Sequence, residues 1–140
     1  MSQQYPLIGT AVWVQKEGKV LLSRRAKEKR AGAGMWCPPG GHLEMFETIE
    51  ACVTRETREE ARIEIQNLRF IRYIEDPYRT DGTHYVTFHY AADWLSGEPL
   101  PQAGESEDWY WFPWGELPDP LFKPAKDFAD TGINPLEFKG

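Results

Sequence analysis

The segment 48–62 constrains the fold most, because it contains neither Gly nor Pro and is rich in Glu, Ala and Arg. Residues of these types favour helix, so the composition predicts one long helix over 48–62. Thr48 is suited to cap the first turn, and Glu47 and Glu50 suit the positive end of the helix dipole. Any fold of this chain must therefore accommodate one long central helix.

The regions on both sides of this helix have the pattern of strands. β-Branched and aromatic residues between turn residues predict strands over 8–15, 19–23, 68–74, 85–92 and 109–112. The turn residues at 16–18 join the first two strands into a β-hairpin, and a short helix is expected at 125–129. Strands that bracket a central helix predict an α/β or α+β fold, with a mixed sheet covered by helices.

Composition and charge narrow the classes of partner. The chain has 140 residues, of which 41% are hydrophobic, and this suits one packed domain rather than a disordered or fibrous protein. Sixteen Lys and Arg against 22 Asp and Glu give a net charge of -6. No overall field holds a polyanion, so a nucleic-acid polymer is not an expected partner. Small phosphate compounds are not excluded as ligands, because a metal ion can screen their charge at an acidic site.

Cysteine usage and the first residues bear on the compartment. Cys37 and Cys52 have neither the density of a disulfide scaffold nor the spacing of a metal site, so we expect free thiols that serve packing. The first ten residues lack a basic region followed by a long apolar run, and no stretch approaches the about 18 apolar residues of a membrane span. We therefore expect a soluble, cytoplasmic protein with no membrane partner.

A helical projection of 49–63 places carboxylates where a core stripe is expected. At about 100° per residue, Glu56 and Glu60 point into the middle of an apolar stripe whose members lie within about 60° of one direction, and Glu59 lies at its edge. The apolar members of the stripe are Ile49, Cys52, Val53 and Ile63. The opposite face holds Thr54, Thr57, Arg58 and Ala61.

Two carboxylates one turn apart on a buried face repel each other and are costly to desolvate. A divalent cation answers both problems, and Mg²⁺ prefers oxygen ligands that it shares between carboxylates and substrate phosphates. The pattern therefore predicts a magnesium site and a metal-bound phosphate compound as its ligand. The alternative is that the Glu side chains are solvated at the helix rim and pair with Arg55 or Arg58.

From Gly41 the sequence reads G-H-L-E-M-F-E-T-I-E-A-C-V-T-R-E-T-R-E-E-A-R-I, which resembles the Nudix box, G-x5-E-x7-R-E-U-x-E-E-x-G-U with U aliphatic. The matching positions are Gly41, Glu47, Arg55, Glu56, Glu59, Glu60 and Ile63. Thr57 replaces an aliphatic residue, which weakens a packing contact. Arg62 replaces the usual Gly, which suggests a different exit from the helix. The segments 36–44, 84–87 and 109–118 resemble the MutT-like branch that contains the type-15 Nudix nucleotide diphosphatases.

The resemblance implies the Nudix fold, a mixed β-sheet sandwiched between helices in α/β/α layers, as a single Nudix hydrolase domain over 1–140. It also implies a Mg²⁺-dependent enzyme, with Mn²⁺ as an alternative metal. The implied metal ligands are Gly40, Gly41, Glu56, Glu59 and Glu60. Glu60, Glu59 and Glu56 are also the implied catalytic set, and Arg55 orients them through a salt bridge. Glu60, Glu59 or a loop carboxylate is the general base. Among the loop candidates Glu105, also a candidate metal ligand, ranks ahead of Glu107.

Three residues are candidates for substrate binding. Arg25 resembles the phosphate-contacting Arg of the family, Thr87 matches a substrate-side position on a strand, and Phe122 is a candidate for the base pocket. The other basic residues near Arg25 are expected to be solvated, and His42 has the character of a polar rim residue. Trp109, Trp111 and Trp114 can stack a base, but aromatic residues at period two are typical of a core, which we expect for Trp111.

Three functions remain at this point. The implied reaction cleaves a nucleoside triphosphate to the monophosphate and pyrophosphate by attack of water on phosphorus. The second is hydrolysis of another nucleoside diphosphate derivative, such as ADP-ribose or a nucleotide sugar, because the box recognises only the diphosphate and the metal. The third is a nucleotide-binding module without turnover, against which the complete carboxylate set argues. Relatives are often homodimers, so a homodimer is the expected assembly.

Overall fold

The computed structural model describes residues 5–29, 31–77 and 79–140. The strands in these ranges are β1 (Leu7–Lys16), β2 (Lys19–Arg25), β3 (Trp36–Cys37), β4 (Gly40–His42), β5 (Glu64–Asp76), β6 (Tyr85–Ser96) and β7 (Ser106–Pro113). The α-helices are α1 (Ile49–Ala61) and α2 (Lys123–Ala129), and a turn of 3₁₀ helix follows β7 at Trp114–Glu116. Every predicted strand and both predicted helices are confirmed. Within the described ranges, neither helix has the length and apolar character to cross a membrane.

One mixed sheet contains all these strands, in the order β3-β2-β1-β6-β5, with β4 beside β1 and β7 beside β2. β1 and β6 run parallel at the centre, from Leu7↔Tyr85 to Gln15↔Asp93. The predicted hairpin of β1 and β2 is confirmed, and its turn residues Glu17 and Gly18 have φ of 52° and 78°. Positive φ at both positions is typical of a tight two-residue hairpin turn, which therefore sets the register of the two strands.

Two hydrophobic clusters cover opposite faces of the sheet, because successive side chains of β1 point to opposite sides. Val12 and Val14 pack with Val53 in the cluster beneath α1. Trp13, between them in sequence, packs with Phe128 of α2 in the other cluster. The two helices therefore lie on opposite faces, which confirms the predicted α/β/α layers.

The sheet splits between β1 and β2 beyond their shared turn. The two strands pair at Gln15↔Val20 and Lys16↔Lys19 beside the turn. Further along, β1 pairs with β4 at residues 9–11, whereas β2 pairs with β7 and with β3. The split leaves a cleft between the start of β1, the end of β2 and β4.

The helix α1 begins at its predicted cap, because the Thr48 hydroxyl accepts the Ala51 N–H at 3.1 Å. It ends at Arg62, which has φ 62° and ψ 33° and donates its N–H to the Arg58 carbonyl at 3.0 Å. The expectation of a different exit was wrong. Arg62 adopts the left-handed conformation that a capping glycine adopts, and a side chain in that conformation strains the backbone.

Arg62→Gly is expected to raise the free energy of unfolding by about 0.5–1 kcal/mol, because Gly adopts φ near +60° without a Cβ clash. The exposed Arg62 side chain contributes little packing that the change would remove. Urea unfolding of the wild type and the variant measures the difference. Arg62→Ala is the matched control, since it truncates the side chain but keeps the Cβ. A glycine variant no more stable than the alanine variant would contradict the strain argument.

The buried face of α1 extends further to one side than the helical projection predicted. Its buried residues are Cys52, Val53, Thr57 and Ala61. The assignment of Thr57 and Ala61 to the opposite face was wrong, since both are fully buried. The sheet covers a wider arc of α1 than the predicted apolar stripe, and only the packing reveals this. The hydroxyl of Thr57 donates to the Val53 carbonyl at 2.6 Å, so its polar group is satisfied inside the core.

Candidate active site

Two adjoining cavities, of about 690 Å³ and 470 Å³, occupy the cleft at the split in the sheet. Both volumes are typical of small-molecule sites. The cavities share the lining residues Arg25, Lys29, Cys37, Gly40, Gly41, His42 and Glu60. We call the part around Glu44, Glu56, Glu60 and Glu105 the acidic end. We call the part around Arg79, Tyr85, Thr87 and Phe122 the aromatic end.

Gly40 and Gly41 bring the backbone of β4 into direct contact with its neighbours. A Cβ on Gly40 would lie 2.0 Å from the Thr10 carbonyl oxygen, and a Cβ on Gly41 would lie 2.2 Å from the carboxyl carbon of Glu56. At Gly40 the Cβ would meet main chain, so only glycine fits there, whereas a side chain at Gly41 would have to displace the Glu56 carboxylate. The Glu56 carboxylate therefore packs directly against main chain, where carbonyl oxygens are at hand.

Glu60 is a buried carboxylate on the cleft side of α1. It accepts a hydrogen bond from the Gly40 N–H at 3.3 Å. Burial, together with a smaller effect of the nearby carboxylates of Glu56 and Glu105, raises the pKa of the Glu60 carboxyl to about 8. Burial also raises the pKa of Glu56, against the effect of Arg55. Burial at the acidic end thus disfavours the charged forms of both carboxylates.

Arg55 connects three carboxylates around the start of α1. Its guanidinium donates to Glu47 at 2.6 Å, to Glu56 at 2.7 Å and to Glu59 at 3.2 Å. The hydrogen bond from Arg55 lowers the pKa of Glu47 to about 2. The Glu59 side chain is 60% exposed and lines neither cavity, whereas that of Glu56 is 19% exposed and lines the acidic end. Arg55 therefore fixes the direction of Glu56 and holds Glu59 outside the cleft.

The acidic end has donors that suit a hard divalent cation. In the conformation of the described residues, no three carboxylate, His or Cys side chains converge closely enough to hold an ion. Carboxylates and main-chain carbonyls are nevertheless the oxygen ligands that Mg²⁺ prefers. A bound cation would also stabilise the charged form of the Glu60 carboxylate, which burial disfavours. The donor chemistry fits the metal, and Glu56, Glu60 and the Gly40–Gly41 main chain are the groups that could hold it.

Basic groups lie beside the acidic end. Arg25 at the end of β2 lines both cavities and donates to the Ala31 carbonyl at 2.9 Å. Lys29 also lines both cavities and pairs with Glu105 at 2.7 Å, so the expectation that the other basic residues near Arg25 are solvated fails for Lys29. Glu107 instead lies near Arg24, at 3.7 Å. Glu107 was predicted in a loop but lies in β7, and of these two candidates only Glu105 lines the cleft.

Comparison with known proteins agrees with this arrangement. The family model described as the NUDIX domain matches residues 6–131. This chain belongs to the Nudix family. The NAD-capped RNA hydrolase NudC of Pseudomonas aeruginosa strain LESB58 is 35% identical over 117 residues, which cover 82% of this Nudix chain and 40% of that protein. NudC of Vibrio atlanticus strain LGP32 is 33% identical over 127 residues, which cover 89% and 45%. The Nudix chain thus spans less than half the length of these curated relatives.

Solved structures place this Nudix chain in the MutT-like group. The MutT NUDIX hydrolase of Burkholderia pseudomallei superposes with a TM-score of 0.84 at 27% identity, covering 93% of this chain and 100% of that one. The NUDIX domain of Shewanella oneidensis NrtR, solved with ADP ribose, superposes with a TM-score of 0.74 at 19% identity, covering 93% and 88%. The second likeness supports the fold alone. The mixed sheet with its two helices is therefore the Nudix fold.

The candidate substrate residues of the Nudix chain do not all face open space. Thr87 is buried and lines the aromatic end. Phe122 lines it too, but the Arg25 guanidinium lies 4.1 Å from its ring centroid, and a Cβ on Gly32 would lie 2.3 Å from the ring. Trp109, Trp111 and Trp114 pack against the two core clusters, as expected for Trp111. The tryptophans are thus part of the core, and much of the Phe122 surface is already covered.

The cleft of the Nudix chain also contains residues that the sequence did not single out. Arg79 reaches the aromatic end from the loop between β5 and β6. Tyr85 hydrogen-bonds His42 through its hydroxyl, 2.8 Å from Nε2. Cys37, expected to serve packing, borders both cavities, and burial raises the pKa of its thiol to about 11. Cys52 is buried as expected. No local pattern marks Arg79, because its position depends on loop contacts with a distant strand.

Proposed function

We propose that this protein is a Mg²⁺-dependent pyrophosphohydrolase that cleaves a nucleoside triphosphate to the nucleoside monophosphate and pyrophosphate. One observation carries the proposal: the cleft-facing carboxylates of Glu56 and Glu60 border the same cavity as Arg25 and Lys29. Carboxylates that can hold a cation and basic groups that can hold phosphate are what a triphosphate requires. Membership of the Nudix family supports hydrolysis of a phosphoric anhydride.

The residues that would hold the metal are Glu56, Glu60 and the main chain of Gly40 and Gly41, with Glu105 on the other side of the smaller cavity. Mg²⁺ bound there would neutralise phosphate oxygens and make the attacking water more acidic. Glu59 remains a candidate that could turn inward, although it is bound to Arg55 and exposed in this structure. Arg55 acts as a positioning residue, since it holds Glu56 and Glu47.

The side chains divide the reaction between them. Arg25 and Lys29 bind phosphate oxygens and orient the chain of phosphates along the cleft. A carboxylate of the acidic end, Glu60 or Glu105, accepts the proton of the water whose oxygen forms the new bond to phosphorus. The bridging P–O bond breaks, and pyrophosphate leaves with the electron pair. Water, one anhydride bond and one released proton complete the balance without a covalent enzyme intermediate.

A second candidate is hydrolysis of a linked nucleoside diphosphate. The relatives named NAD-capped RNA hydrolase are 33–35% identical to this chain, and NAD contains such a linkage. An RNA that carries this group would present its end to the cleft, so the net charge of -6 weighs against polymer binding and not against a cap. A binding module without turnover is the weaker alternative, because both cleft carboxylates, Glu56 and Glu60, are in place.

A substrate panel tests the proposal. We expect ATP, GTP, CTP and UTP to yield the monophosphate and pyrophosphate with Mg²⁺, and no product to form when EDTA is present. Chromatography with ³¹P NMR of the products identifies which bond is cut. NAD, ADP-ribose and UDP-glucose are included at the same concentration. Cleavage of these three alone would replace the triphosphate proposal by the second candidate, and binding without any cleavage would favour the module.

A further inference from the structure

The aromatic end of the larger cavity contains one cationic side chain from the loop between β5 and β6. Arg79 borders this end beside Tyr85 and Phe122, away from the acidic end, which it does not line. Its guanidinium carbon lies 4.8 Å from the Tyr85 ring centroid and 5.2 Å from that of Phe122. The side chain is 8% exposed, which is unusual for an arginine in a loop. Arg79 therefore forms part of the cavity wall, where its side chain is packed against the two aromatic rings.

Two carboxylates balance the charge of Arg79. Its Nη2 donates to Asp81 at 2.8 Å, and its Nε lies 3.8 Å from the Asp76 carboxylate. Asp76 in turn is 3.2 Å from Lys123, the residue after Phe122. The Arg79 guanidinium is a poor binding site for a phosphate group, because the two neighbouring carboxylates already neutralise its positive charge. It still has N–H groups beyond the one given to Asp81.

The Arg79 guanidinium can donate further hydrogen bonds to a ligand at the aromatic end. One oxygen of Asp81 accepts from Arg79, and the other accepts from the N–H and hydroxyl of Thr83. Both oxygens of this carboxylate are thus engaged, whereas a guanidinium carries five N–H donors and no acceptor. A ligand group that meets Arg79 is favoured when it offers an acceptor in the guanidinium plane, such as a carbonyl oxygen.

We propose that the aromatic end binds the nucleoside of the substrate and that Arg79 determines specificity by donating to a carbonyl oxygen of the base. This inference rests on the proposed function, because it takes the phosphates to lie at the acidic end. The base lies against Arg79 and Tyr85 rather than on Phe122, whose surface is covered by Arg25 and Gly32. Guanine and uracil offer carbonyl acceptors, whereas adenine has none.

Steady-state kinetics with GTP, UTP and ATP test this role. We expect the wild type to have a higher kcat/KM for GTP and UTP than for ATP. Arg79→Lys keeps the charge beside Asp76 and Asp81 but loses the planar set of donors, so it is expected to lower kcat/KM for GTP and UTP about 10-fold or more and to lower kcat/KM for ATP much less. Arg72→Lys is the matched control, because Arg72 is an exposed arginine of β5 that lines neither cavity.

Binding of GMP and AMP, measured by calorimetry on the same proteins, tests the nucleoside site without turnover. A preference for GMP that Arg79→Lys abolishes supports the inference even if no triphosphate is cleaved, in which case only the proposed reaction fails. Equal losses for guanine and adenine nucleotides would show that Arg79 supports the fold and would overturn the inference. Retention of the full preference in Arg79→Lys, or a wild-type preference for ATP and AMP, would overturn it as well.

Discussion

Glu60→Gln is expected to lower kcat of Mg²⁺-dependent hydrolysis by on the order of 10²–10⁴, because the change removes both a proposed metal ligand and a candidate proton acceptor. The fold should survive, since a glutamine oxygen can still accept the Gly40 N–H that Glu60 accepts at 3.3 Å. Loss of a buried carboxylate whose pKa burial raises to about 8 should make the metal-free protein at least as stable as the wild type at neutral pH.

Activity assays and thermal unfolding, each with Mg²⁺ and with EDTA, check both parts of this expectation. Mg²⁺ should raise the Tm of the wild type and raise that of Glu60→Gln less, because ligand binding to the folded state stabilises it. Glu50→Gln is the matched control, since Glu50 is an exposed residue of the first turn of α1. Full activity in Glu60→Gln, together with an unchanged response to Mg²⁺, would remove Glu60 from the mechanism.

The contribution of His89 to the free energy of unfolding is expected to fall by about 2 kcal/mol between pH 7 and pH 5, because the unfolded chain binds a proton at His89 that the folded chain does not bind. His89 is fully buried against Trp13 and Phe128, with ring centroids at 6.3 Å and 4.8 Å, and its Nδ1 accepts from the Trp13 indole at 3.2 Å. Burial lowers the pKa of His89 to about 3, and the charge of Arg72 acts in the same direction. The unfolded chain binds the proton from about pH 6.5, so stability is full above that pH and is lost towards pH 3.

Urea unfolding between pH 5 and 7, with EDTA throughout, measures this dependence in the wild type and in His89→Asn. Asparagine keeps an acceptor for the Trp13 indole and does not titrate, although it packs less well, so the comparison rests on the slope against pH. Glu60, whose pKa is raised to about 8, acts in the opposite direction over this window, and its effect cancels between the two proteins. Equal slopes in the wild type and His89→Asn would contradict a neutral buried imidazole.

Local patterns were sufficient to predict the elements that carry the acidic end of the cleft. The Thr48 cap and the hairpin turn at Glu17 and Gly18 depend on neighbours in sequence, and each has the predicted conformation. The box spacing likewise depends on helix geometry, so Glu56 and Glu60 lie on the cleft side of α1. Helical spacing alone did not reveal which arc the sheet covers, and it misplaced Thr57 and Ala61.

The rest of the site depends on contacts between distant segments. Lys29 lies in a basic run that resembles a solvated loop, and only its pairing with Glu105 brings it into the cleft. Arg79 is 43 residues before Phe122 in the chain, yet the two meet at the aromatic end. The type of a residue does not indicate such contacts between distant segments, because loop packing and the charge balance at Asp76 and Asp81 determine them.

The cleft at the split between β1 and β2 has its proposed cation site and its proposed nucleoside site on different segments of the chain. The groups proposed to hold the cation come mainly from α1 and β4, whereas the groups at the far side of the cavity come from β6, from the loop before it and from the residue preceding α2. Because different segments carry them, substitutions at Arg79 or Thr83 are expected to change which nucleotide is accepted and to leave the proposed cation site intact. Engineering of this chain towards another nucleotide should therefore begin in the loop between β5 and β6.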